Sequence, residues 1–153
     1  MFAGDVFIDR KLTSDEIANA MSKLLSISPA EVLVVDDITK LESRLGEDIH
    51  VLCEQVPMKG DFSVRIANYL RDAGLEKFVE QIGNEALTGQ FCDELDCRCL
   101  ISDDSVNPYS WLLVQGTGDV QSVSIDAHRS DEDEGEIFIN HPVAHQDNVS
   151  HVA

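Results

Sequence analysis

The residues best suited to chemistry in this chain are its thiols. Cys92, Cys97 and Cys99 fall within eight consecutive residues, and Cys53 stands apart. Thiolates are zinc ligands, but structural zinc sites typically show paired C-x2–4-C knuckles or Cys/His sets. Here four residues separate the first two cysteines and one separates the last two. On a strand, Cys97 and Cys99 would share one face, with Cys92 at the end of a preceding helix. His50, Cys53 or a tail histidine is then the candidate for a fourth ligand. The competing expectation is plain burial, since free cysteine packs as a small hydrophobe. Thiol catalysis is disfavoured. His50 and Cys53 would face opposite sides of a strand, and the acids around Cys92 would raise its pKa.

Two acidic pairs close strand-like runs: Asp36-Asp37 after Val32–Val35, and Asp103-Asp104 after Leu100–Ser102. Carboxylates at strand ends can converge in a crevice and hold Mg²⁺ through oxygen. The alternative role of such acids is turn formation. Val32-Leu33-Val34-Val35-Asp36-Asp37 resembles the first strand of phosphorelay receiver domains. A receiver also needs an Asp at the end of a later strand, where this chain has Glu54-Gln55-Val56-Pro57, and a late Lys, where none follows Lys77. That family is therefore excluded.

A third constellation joins acids to aromatics. Asp103 and Asp104 precede Tyr109 and Trp111, the single tryptophan, and Asp119 follows in a turn. Aromatic side chains are frequent anchors of protein interfaces. Further on, Asp131, Glu132, Asp133 and Glu134 form a charge run that reads as unable to pack.

The charge explains why this third group matters. The chain has 153 residues, 29 acids, 11 Lys plus Arg and a formal net charge of -18. Residues 91–153 hold 13 of the acids and only two of the cations, Arg98 and Arg129. Direct phosphate binding to nucleic acid is excluded, because that needs a surplus of Lys and Arg. Docking on an anionic membrane is excluded for the same reason. No apolar run approaches the ~20 residues of a membrane span, and no signal-peptide pattern opens the chain. The expected location is cytoplasmic, with reduced thiols. Common nucleotide-binding and hydrolase motifs are absent, and no cofactor is implied.

Elements must position these groups. Val6–Ile8 reads as a strand. Thr13-Ser14-Asp15-Glu16 opens a helix as a capping box, and Ile17, Ala20, Met21, Leu24 and Leu25 give it one apolar face. Val32–Val35 is an uninterrupted β-branched run and reads as a buried strand. Ile38, Leu41 and Leu45 suggest a helical turn or two. Residues 49–56 read as a strand. Asp61 reads as the cap of a helix ending at Gly74, followed by a second helix from Leu75 that extends toward Leu95, with a break at Gly89. Cys97–Ile101 reads as a strand, and Trp111–Gln115 with Val120–Ile125 as a hairpin around Gly116-Thr117-Gly118.

The pattern predicts an α+β fold: a mixed β-sheet packed against helices, with a C-terminal β-hairpin and an acidic tail. Residues 1–126 read as the domain. Residues 127–153 read as a partly disordered acidic, histidine-containing extension, with Ile137–Ile139 as a last edge strand. The expected function is non-enzymatic binding of a basic protein partner, most concretely as an immunity or antitoxin-type inhibitor of a basic nuclease toxin. Asp103, Asp104, Tyr109, Trp111 and Asp119 are the expected contacts, with Asp131, Glu132, Asp133 and Glu134 steering. Two alternatives stand beside it: Mg²⁺ chemistry at Asp36, Asp37, Asp103 and Asp104, or structural zinc at Cys92, Cys97 and Cys99.

Overall fold

A computed structural model describes residues 4–41 and 45–140. The fold is α+β. Eight strands form one mixed sheet in the order β10-β8-β7-β6-β1-β5-β3-β2. Their ranges are β1 Gly4–Ile8, β2 Val32–Val35, β3 Val51–Pro57, β5 Val64–Leu70, β6 Cys99–Ser102, β7 Ser110–Gly116, β8 Asp119–Ile125 and β10 Ile139–Asn140. Within this sheet, among the described residues, β2 and β3 pair parallel and every other neighbour is antiparallel. β4 (Lys59–Gly60) and β9 (Glu136–Ile137) form a separate parallel pair. Among the described residues, no helix is long and apolar enough to cross a membrane.

Three helices cover one face: α1 Ser14–Leu25, α2 Ala73–Ile82 and α3 Asn84–Leu95. α1 begins as its capping box dictates. The Glu16 amide donates to Thr13 Oγ1 at 3.1 Å and the Thr13 amide to Glu16 Oε1 at 2.9 Å. Its apolar stripe, Ile17, Ala20, Met21, Leu24 and Leu25, is buried. It packs with Val6, Ile8, Val51, Val64, Ile66 and Ile101 from the sheet and with Leu87 and Phe91 from α3.

Several sequence expectations change here. Residues 64–70 are a strand, not a helix. Val64 and Ile66 alternate with the half-buried Arg65, so period two prevails over a weak helical spacing. Gly74 lies in the first turn of α2, whose N-cap is Asp72. The break between helices falls at Gly83, where φ is 95°, and not at Gly89. β2, read as a buried strand, is buried at Val32 and Val35 and half-buried between, and it sits at the sheet edge with one neighbour.

The other face carries a second core. Phe7, Leu100, Leu113, Val123 and Ile125 from the sheet meet Phe62, Ile137 and Ile139. The stretch 127–140, expected as part of a loose extension, supplies two of these buried residues. Burying each isoleucine is worth about 1.5–3 kcal/mol relative to exposure, enough to hold a short acidic segment against the sheet. Residues 58–62 clamp it. The Lys59 amide donates to the Gly135 carbonyl and the Asp61 amide to the Ile137 carbonyl, both at 2.8 Å. Asp61 Oδ2 accepts from the Ile139 amide at 2.9 Å. Asp61 thus fastens a strand where a helix cap was expected. Gly60 permits the approach, since a Cβ there would stand 2.3 Å from the Ile137 carbonyl oxygen. The histidines His141, His145 and His151 lie outside the described residues.

Candidate functional site

The β6–β7 loop is built by its own side chains. Asp103 accepts from the Ser110 hydroxyl across the loop mouth and from the Ser105 amide at 3.0 Å. These bonds, the Ser110 hydroxyl foremost, hold its carboxyl below the usual range. Asp104 takes a left-handed conformation at φ 60° while its amide donates to Ser102 Oγ at 3.1 Å. Asn107 Oδ1 accepts from the Tyr109 amide at 3.0 Å. Trp111 Nε1 donates to the Pro108 carbonyl at 2.9 Å, and its ring meets Phe7 edge-on at 5.7 Å between centroids. Asp103 and Trp111 therefore shape the loop and the second core. What the loop presents outward is Asp104, Val106 and Tyr109. Val106 is fully exposed and Tyr109 is 51% exposed. Val106 went unnoticed in sequence because a lone valine between Ser and Asn carries no pattern.

The structure brings the acidic run to this loop. Asp131 and Glu136 form a bridge, and Glu132–Glu134 make one 3-10 turn between them. Tyr109, Ile125, Asp131, Glu132 and Asp133 line a shallow cavity of about 240 Å³. On the other side of the turn, Glu132, Asp133 and Glu134 line a second cavity of about 380 Å³ with Phe7, Met58 and Arg65. The turn is thus an acidic ridge between two depressions. Among the described residues, no ion pair engages the carboxylates of Asp131, Glu132, Asp133 or Glu134. The nearest cation in sequence, Arg129, stacks instead on the Phe138 ring at 4.0 Å. Asp119 is not part of this surface. It pairs with Gly116 at the far tip of the β7–β8 hairpin, about 20 Å along the strand from Ser110 at about 3.3 Å per residue.

The strand-end carboxylates do not converge. β3, β5 and β1 lie between β2 and β6, about 19 Å of sheet at about 4.8 Å per strand. The two strands also run in opposite directions, so their acids leave opposite ends. Asp37 caps the following turn through the Thr39 amide at 2.9 Å, and its pKa is lowered chiefly by the Thr39 hydroxyl. Asp36 accepts from Gln55 Nε2 at 3.3 Å. A shared Mg²⁺ site at Asp36, Asp37, Asp103 and Asp104 is ruled out by this topology.

The thiols do converge. α3 ends at Leu95, and Asp96 turns left-handed at φ 51°. The amides of Asp96 and Cys97 both donate to the Cys92 carbonyl, the second at 3.2 Å. This reversal folds Cys97 back over Cys92, and Cys99 follows on the same face of β6. The three Sγ atoms lie within 4.8 Å of one another, and all three residues are buried. Cys92 Sγ donates to the Val114 carbonyl at 3.4 Å, and Cys97 is drawn below the usual thiol range by its contacts with Cys92 first and then Cys99. Cys92 is raised chiefly by its contact with Cys97, and Cys99 by its contacts with Cys92 and Cys97. Cys53 is on β3, three strands from β6, and burial pushes it up to about 12. His50 is engaged elsewhere, its Nδ1 2.5 Å from Glu31 Oε1. Neither residue reaches the cluster.

Comparison with protein-family models, characterised proteins and solved structures yields no match for this chain.

Proposed function

We propose that this chain is a non-enzymatic binding protein that neutralises a cationic protein partner, most concretely as an immunity or antitoxin-type inhibitor of a basic nuclease toxin. The carrying observation is the half-exposed Tyr109 beside the acidic turn Asp131–Asp133, whose carboxylates have no ion-pair partner among the described residues. Aromatic anchors next to unpaired charge suit an interface that uses burial for affinity and charge for encounter. The acids sit on a turn held by buried isoleucines, so their field is directed and not averaged over a loose tail. The net charge of -18 extends that field over the whole molecule. The toxin-inhibitor version is an analogy of class, resting on size and charge.

The contact surface in this reading is Asp104, Val106, Tyr109, Asp131, Glu132 and Asp133. Asp103 and Trp111 position the loop, while Glu134 and Asp119 contribute to steering only. The test is a pull-down at low salt followed by association kinetics. A basic protein should be recovered, and its on-rate should fall steeply as salt rises. Reversing Asp131, Glu132 and Asp133 together to Lys should slow association about ten-fold, by the usual scale of electrostatic steering. Tyr109→Ala should act mainly on the off-rate. An on-rate insensitive to both salt and charge reversal would remove this surface from the interface.

A further inference from the structure

We infer that Cys92, Cys97 and Cys99 form a three-thiolate site for a soft metal ion of the copper(I) class. The inference is independent of the acidic surface. It rests on three observations. The three Sγ atoms lie within 4.8 Å of one another, and three sulfurs bound to one ion at about 2.3 Å would sit roughly 4 Å apart. A small inward movement therefore closes the site. Its walls are dry: Cys99 is fully buried, and Cys92 and Cys97 are 1% and 7% exposed. Finally, among the described residues no histidine, carboxylate or further cysteine completes the group to four.

That last point selects the ion. Structural zinc sites are almost always four-coordinate, and three-ligand zinc sites keep an open position for water. This cluster offers three sulfurs as ligands within the main core, and the Val114 carbonyl accepts from Cys92 Sγ at 3.4 Å, beyond a metal–oxygen bond. Soft thiolate donors select copper(I) as well as zinc, and a three-sulfur environment without water suits the monovalent ion. Loading would release the thiol protons, since the ligands are thiolates. The resulting complex is formally doubly negative, and the nearby Arg10, itself paired with Glu16 at 3.0 Å, offsets only part of that charge. Its Nε donates to the Leu95 carbonyl at 2.9 Å, which fixes the guanidinium beside the turn that carries Cys97. Cys97 is the entry point, being the least buried of the three.

The experiment is an anaerobic titration of the reduced full chain with copper(I), presented by a chromophoric chelator that competes for it. One equivalent should leave the chelator, and copper-edge X-ray absorption should show three sulfur neighbours and no nitrogen or oxygen. Cys97→Ser, on the turn outside the deepest packing, should weaken uptake by more than the ~100-fold that loss of even a supporting outer partner costs. Cys53→Ser should retain one equivalent. The absorption spectrum of the unaltered chain stands whether or not a variant folds. Absence of stoichiometric uptake, a two-sulfur copper spectrum, or uptake that survives Cys97→Ser overturns the site. A parallel zinc titration yielding four protein ligands would overturn the copper(I) assignment.

Discussion

Ser130 and Phe138 are joined by a reciprocal pair of hydrogen bonds. Ser130 Oγ donates to the Phe138 carbonyl at 3.1 Å and accepts from the Phe138 amide at 2.9 Å. One hydroxyl thus closes the eight-residue span that presents the acidic turn. Ser130→Ala leaves the partly buried Phe138 amide without that partner, while the Phe138 carbonyl still accepts from the Asp126 amide at 2.8 Å. We expect a loss of about 1–3 kcal/mol in urea unfolding, with the denaturant slope unchanged. A loss confined to a few tenths would mean that Ile137 and Ile139 alone hold the turn.

Gly89 and Gly74 should respond oppositely to alanine. A Cβ at Gly89 would stand 2.9 Å from the Gly116 carbonyl oxygen and from Thr117 Cα. Backbone atoms cannot swing aside, so overpacking of about 1–3 kcal/mol outweighs a helix-propensity gain of about 1 kcal/mol. At Gly74 the added carbon meets only the Asp72 carboxylate, at 3.4 Å. Gly74→Ala should therefore be neutral or stabilising by up to about 1 kcal/mol. Thermal melts of the two variants check the contrast, and equal effects would contradict the close helix–hairpin approach.

Trp111→Phe keeps the aromatic contact with Phe7 and removes the indole N–H that holds Pro108. The expected cost in stability is small, about 0.5–1.5 kcal/mol. Under the proposed binding function, the larger expected effect is on partner affinity, because the released loop carries Val106 and Tyr109. Equal partner affinity in wild type and variant would show that Pro108 does not need the indole.

Acid should weaken the fold through identifiable carboxylates. Glu16 is lowered first by the Thr13 amide and then by Arg10, and Glu31 by the Ser28 amide and then by His50. A carboxyl with a depressed folded pKa gives stability that is fully present above its unfolded value, about 4, and is lost as pH falls through the folded value. Protonation of the many other acids relieves repulsion in the same window. The informative quantity is therefore the Tm gap between wild type and Glu31→Gln. It should be constant above about pH 6 and narrow toward about pH 3. A gap independent of pH would show that Glu31 gains nothing from ionisation.

Local pattern was enough for much of this protein. The capping box at Thr13 and the apolar stripe behind it define α1, because both signals lie within a few turns of one helix. The alternation around Gly116-Thr117-Gly118 gives the β7–β8 hairpin, and composition gives the acidic character. Tertiary structure decided the rest. It made residues 64–70 a strand by lodging them between β1 and β3. It made the start of the expected extension, with its edge strand read at Ile137–Ile139, a cover for the second face, because Phe62, Leu113 and Val123 needed Ile137 and Ile139 to exclude water. It separated Asp36 from Asp103 by setting their strands far apart and antiparallel, which no spacing in the chain encodes. The cysteines show the division most clearly. Their irregular spacing fits no zinc knuckle, yet a helix end followed by one left-handed residue, Asp96, folds the three sulfurs together. Asp tolerates left-handed geometry better than most side chains, but its presence alone does not locate a turn; the conformation is imposed where α3 must turn back to begin β6.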